Sequence, residues 1–196
     1  MNGEGTDVVN ARLIDRFAPR ADFILAEELL LSAAATAAYR AIGELRDADL
    51  ESPVIRLLFR ARDLPGYVRS HGHVTDLGEI LLGGKGILLG ERPGREIVLG
   101  AAGRFWSPVP EWYEVTPETF RDFAHARGGT IAMAFLVDPL AEIGCRVTIE
   151  TRITVADPAA RRTASLYWRS IRPAAWLTTR GLLAAIAARA TALTPS

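Results

Sequence analysis

Residues 83 to 106 constrain this chain more than any other stretch. Gly86 to Glu91 and Arg95 to Trp106 are two strand-like runs on either side of Arg92-Pro93-Gly94, a sequence suited to a tight turn. They predict an antiparallel pair, and a hairpin with an apolar face must bury it against something else in the chain. In a chain of 196 residues with 49% apolar composition, one well-cored domain can supply that cover.

The remaining segments supply it in a definite order. Residues 20 to 31, rich in Ile, Leu and Phe, predict a first strand carrying the acidic pair Glu27 and Glu28. Ser32 is placed to cap a helix over Ala33 to Leu45, where Tyr39, Ile42 and Leu45 form an apolar stripe. A second short helix is predicted from Pro53 to Arg62, closed by Pro65-Gly66. After an irregular segment from Tyr67 to Gly78, strands are predicted over Glu79 to Leu82 and then over the hairpin. Thr116 to Phe123 follows as a short capped helix between strands.

Thr130 to Val137 and Glu142 to Thr154 predict two further strands joined by Asp138-Pro139-Leu140-Ala141. In the second, Cys145, Val147, Ile149, Thr151 and Ile153 alternate with Arg146, Thr148, Glu150, Arg152 and Thr154, so one face is expected dry and the other wet. Asp157-Pro158 is an N-cap and first-turn pair opening a helix to about Ala192, with a kink expected at Pro173. The class is α+β: a curved antiparallel sheet wrapped around a long C-terminal helix, with two short helices after the first strand. Residues 1–19 are expected to be an N-terminal extension and 20–192 a single domain.

The charge balance excludes some roles. Lys plus Arg equals Asp plus Glu at 23 each, so no whole-molecule field steers the chain toward nucleic acid or toward anionic lipid. Cys145 stands alone, which excludes an internal disulfide. Met1 to Asp7 lack a basic region leading into an apolar stretch, so no secretion signal is read and the cytoplasm is the expected compartment. The apolar stretches Phe23 to Ala38 and Ala174 to Leu193 are interrupted by Glu27, Glu28, Arg180 and Arg189, so no membrane span is expected.

Motifs for catalysis are weak. His71-Gly72-His73 with Asp76 lacks the spacing of zinc sites and has no thiolate partner, so no metal is assigned; a loop beside a cavity mouth is the best setting for the two histidines. Gly83-Gly84-Lys85-Gly86 fails the phosphate-loop pattern twice, at Glu79 and at Gly86. No Gly-x-Ser-x-Gly elbow is present, and Cys145 on an apolar strand face is expected to be inert. No cofactor is implied. Arg104 and Arg152 are expected to face water with Glu96 and Glu150 as cross-strand partners; turned inward, either would anchor an acidic head group.

The element order, with the segment Glu91 to Gly100, Arg104-Phe105-Trp106, and Tyr167 to Pro173 opening the last helix, resembles the SRPBCC superfamily, the START-like, helix-grip group that includes pollen allergens and polyketide cyclases. The resemblance covers roughly residues 20 to 190. It implies a hydrophobic cavity between sheet and terminal helix that takes up a lipid, aromatic or polyketide-like molecule. Alternatives are a cyclase or dehydratase, with a pocket His, Arg or Tyr moving a proton, and a ligandless structural or stress-response protein; a homodimer is a further possibility.

The period-two pattern independently selects Ile97, Leu99, Phe135, Cys145, Val147 and Ile149 as inward, with Trp168 and Ile171 opposite them on the helix. Trp106, Trp112 and Tyr113, held among Pro108 and Pro110, are expected at the rim, where aromatics with polar tips suit a boundary between dry and wet. Each of these residues serves either as core or as ligand-binding wall.

Overall fold

The computed structural model describes residues 11–45, 86–141 and 144–193. The expected helix over Pro53 to Arg62, the loop carrying His71 and His73, the strand over Glu79 to Leu82 and the glycines before Gly86 lie outside them. In chain order the elements are α1 (Leu13–Phe17), β1 (Phe23–Leu31), α2 (Ala35–Gly43), β2 (Ile87–Arg92), β3 (Glu96–Arg104), β4 (Glu111–Tyr113), α3 (Pro117–Phe120), β5 (Gly129–Leu140), β6 (Gly144–Thr154) and α4 (Pro158–Ala192). The strands form one antiparallel six-stranded sheet in the order β1-β6-β5-β3-β2, with β4 paired to the far end of β3.

The hairpin forms as its turn sequence dictates. Arg95 N donates to Arg92 O at 2.9 Å, Pro93 takes the position its fixed φ suits, and Gly94 at φ 77° takes the left-handed position that glycine tolerates. β3 ends at Arg104 rather than Trp106, because Ser107 N folds back onto Arg104 O at 3.2 Å. β5 runs on through Pro139, paired opposite Cys145, so the expected link between the two strands is shorter than its sequence implies. Ser32 is not a helix cap: the chain needs two more residues to cross the sheet end, and Ala34 takes the N-cap position without a side-chain bond.

α4 starts where its cap sequence predicts. Asp157 Oδ1 accepts from Ala159 N at 2.9 Å, and the helix runs from Pro158 to Ala192 with Pro173 inside it. Asp22, just before β1, accepts from Val155 N at 2.7 Å and pairs with Arg161 at 2.9 Å, fixing the start of α4 to the start of the sheet. The helix then packs on β1, β6 and α2.

β3 and most of β5 are buried on both faces, a cover that the alternation in β6 does not predict, whereas the outward side chains of β1, Ile24 and Leu30 among them, are exposed. α1 and α3 cover the outer face, where Ile14, Phe17 and Phe120 pack on Leu89, Val98 and the alanines of β5. Glu150 and Arg152 of the charged row of β6 lie beneath α1 instead of in water, while Arg146 is part-exposed and pairs with the exposed Glu28 at 3.6 Å. Arg152 Nε donates to Glu150 at 2.6 Å, while its Nη1 reaches Asp15 at 2.7 Å and Ala18 O at 2.8 Å. Arg12 pairs with Glu150 at 2.7 Å.

Glu96, expected in solvent, is 3% exposed. Its carboxylate accepts the backbone N–H groups of Leu13 at 2.7 Å and Ile14 at 3.1 Å. A five-residue helix with no side-chain cap leaves its first N–H groups orphaned, and Glu96 satisfies two of them from across the sheet. Charged residues on the outer face thus form a receptor for residues 11–18 rather than a wet surface. Arg104, half-buried on the same face, pairs with Glu111 at 3.7 Å.

Candidate functional site

Strand register fixes which side chains share the inner face. Ile97 lies opposite Phe135, Phe135 opposite Ile149, and Ile149 opposite Glu27. The same parity puts Leu99, Met133, Thr151 and Leu25 in one row, and Ile131, Ile153 and Phe23 in another. Arg104, Arg152 and Glu96 have the opposite parity, so none of them points inward as a head-group anchor.

The inner face carries two cores. At one end, Ile97, Leu99, Phe135, Cys145, Val147 and Ile149 pack together with α2 and with Leu182, Leu183, Ile186 and Ala190 of α4. At the other, Trp106 and Trp168 join Phe105, Leu25, Ile153 and Val155, with Ile171 packed against them. Ile97 and Leu99 therefore face the second half of α4, not Trp168 and Ile171. The helix lies along the sheet so that each half seals a different end.

Between the two cores lies a seam of half-buried side chains. Leu88 and Met133 pack half-buried against the first core, Ile171 and Ala175 against the second, and Ile131 and Trp112 against both. Trp112 is held by stacking on Phe105, with ring centroids 6.2 Å apart. Its neighbour Tyr113 has the opposite parity and lies on the outer face. There it stacks on His125 at 4.2 Å and lines an open cleft of about 570 Å³ with Val115 and Thr119. The structure thus separates Tyr113 from the other residues selected from the sequence. A second open cleft, about 600 Å³, is lined by Phe23, Arg161, Arg162 and Leu166 where α4 begins.

Besides Thr151, two hydrogen-bonded or ion-paired polar groups reach the inner face among the described residues. Glu27, in the middle of the β1 apolar row, pairs with Arg180 of α4 at 3.6 Å. The Tyr39 hydroxyl donates to Glu91, and its own proton is held well above the usual phenol range, first by burial and then by that bond and the carboxylate charge. Neither group was selected from the sequence, although Glu27 breaks the alternation Phe23, Leu25, Leu29, Leu31 and so marks itself.

The inner face is lined mainly by apolar side chains, and its one thiol is not activated. Cys145 is fully buried, and burial pushes its thiol up, away from the reactive thiolate. Ellman's reagent is expected to leave the native protein unlabelled and to titrate one thiol per chain in denaturant; rapid native labelling would contradict this packing. Among the described residues no group of three or more His, Cys, Asp or Glu is placed to hold a metal ion, and no helix is long and apolar enough to cross a membrane.

No protein-family model matches the chain, and no curated protein matches it. Among solved structures it is similar to protein CV1439 from Chromobacterium violaceum, with a TM-score of 0.35 and 17% identity over 84% of this chain and 97% of that one. It is also similar to TTHA0849 from Thermus thermophilus, with a TM-score of 0.36 and 12% identity over 88% of this chain and all of that one.

Proposed function

We propose that the chain binds a small, largely apolar molecule in the seam between the inner sheet face and α4, in the manner of the SRPBCC superfamily that its sequence resembles. One observation carries the reading. In β5 the inward side chains Ile131 and Met133 keep partial exposure, whereas the outward Ala132 and Ala134 have none. Farther along β5 the inward Phe135 and Val137 are fully buried, so the inner face is loose only over the stretch of Ile131 and Met133, and room there is what a small ligand would fill. Apolar walls would supply affinity by desolvation, while Glu27–Arg180 and Tyr39–Glu91 would orient the polar end of the ligand.

Filling the seam tests this. The wild-type protein is expected to bind the apolar dye anilinonaphthalene sulfonate with saturable, roughly micromolar affinity. Met133→Trp is expected to weaken that binding about tenfold or more while near-ultraviolet circular dichroism still reports a packed core. No saturable uptake by the wild type, or undiminished uptake by a well-folded Met133→Trp protein, overturns the proposal.

A further inference from the structure

The solvent face of α4 has a composition that packing against the sheet does not explain. The helix contains Arg161, Arg162, Arg169, Arg172, Arg180 and Arg189 and no Asp or Glu, in a chain whose net charge is zero. Three of these arginines are committed: Arg161 to Asp22, Arg180 to Glu27 and Arg189 to Glu44. Arg162, Arg169 and Arg172 are exposed and make no ion pair among the described residues.

Large apolar side chains share that face. Leu166 is 68% exposed, Trp176 42% and Leu177 44%. Helical spacing puts Arg162, Leu166, Arg169, Trp176, Leu177 and Arg180 on one stripe, about 27 Å long at 1.5 Å per residue. The Arg180 guanidinium lies over the Trp176 ring at 5.8 Å, so the indole is presented with a cation beside it.

From this stripe we infer that α4 is a docking surface for an anionic lipid bilayer, lying parallel to the membrane with its outward face at the headgroup level. A guanidinium pairs with phosphate and carboxylate headgroups, and no helix carboxylate repels them. Leu166, Trp176 and Leu177 enter the headgroup and acyl boundary, where an indole is well accommodated. A nucleic acid would use the arginines but leave these apolar side chains in water, so the lipid surface fits the whole stripe and the polyanion only half of it. The inference does not depend on the seam holding a ligand: Arg162, Arg169, Arg172, Leu166, Trp176 and Leu177, which carry it, do not line the seam, and Arg180 stays paired with Glu27.

Vesicle co-sedimentation with the full chain tests it. The protein is expected to pellet with phosphatidylcholine–phosphatidylserine vesicles in a two-to-one ratio at low salt, to stay soluble with phosphatidylcholine alone, and to be released by high salt. R162Q/R169Q/R172Q is expected to lower partitioning about a hundredfold, roughly fivefold for each charge removed. L166S/W176S/L177S is expected to abolish the blue shift of tryptophan emission on vesicle addition and to weaken binding at least tenfold. The inference is overturned if wild-type protein fails to pellet with the anionic vesicles, if it binds the neutral ones equally, or if the apolar triple variant binds as well as wild type. Duplex DNA binding that survives the apolar substitutions, with no vesicle binding, would reassign the stripe to nucleic acid.

Discussion

Replacing Arg152 with alanine is expected to lower the unfolding free energy by about 4 kcal/mol, read as a shift of the urea midpoint. The magnitude follows from what the guanidinium leaves behind. Glu150 is buried and loses its closest partner at 2.6 Å, Asp15 loses an ion pair, and the Ala18 carbonyl loses its donor. Burial by itself would loosen the Arg152 proton, but the bonds and charges of Glu150 and Asp15 outweigh it and hold the group above its ordinary value.

Arg12 still reaches Glu150 in the variant, but its own side chain is half exposed and cannot replace the lost bonds to Asp15 and Ala18. The double variant Glu150→Leu with Arg152→Met discriminates between a buried charge left alone and simple loss of packing. It is expected to recover at least half of the loss, because the penalty lies mainly in the orphaned carboxylate. If the double variant is less stable than Arg152→Ala, the argument fails. Amide exchange should also accelerate first over residues 13–17, since the same arginine holds α1 to the sheet.

This network also shows how far the sequence could be read. Element order, the hairpin turn and the Asp157-Pro158 start of α4 are local properties, written in residues adjacent along the chain. Which faces are covered is a nonlocal property, and only part of its signal is present. β3 and β5 run as Ile97-Val98-Leu99 and Ile131 to Val137 without alternation, the pattern of strands buried on both faces. β6 gives the opposite message. Its row of Arg and Glu reads as wet because period-two patterning cannot distinguish charges facing water from charges facing other charges on α1.

The inner site divides along the same line. Parity along each strand correctly put Ile97, Leu99, Phe135, Cys145, Val147 and Ile149 on one face. The position of α4 along the sheet depends on the Asp22–Arg161 clamp and on α2, contacts between distant residues, so the partners of Trp168 could not be read from spacing. Trp112 and Tyr113 illustrate the limit most simply. They are adjacent in a strand and therefore must lie on opposite faces, and only the pairing of Trp112 with Gly103 tells which of them is inward.

Gly144→Ala is expected to cost about 4 kcal/mol, or to leave too little folded protein to measure, while Gly94→Ala costs about 1 kcal/mol. Both glycines have positive φ, 101° and 77°, so backbone preference alone penalises alanine at each. Their surroundings differ. A Cβ at Gly94 meets nothing within 4 Å, whereas one at Gly144 falls 2.3 Å from Leu31 O and 2.7 Å from Ala33 O. Carbonyls have no rotamer by which to withdraw, so the backbone between β1 and α2 must move. That movement reaches Leu31, Ala33, Ala38 and Ile42, which seal one end of the inner face. The Gly144 variant, where it folds, should therefore also alter dye uptake by the seam, and Gly94→Ala should not. Equal midpoints for the two variants in urea would mean that the close approach at Gly144 is not maintained in solution.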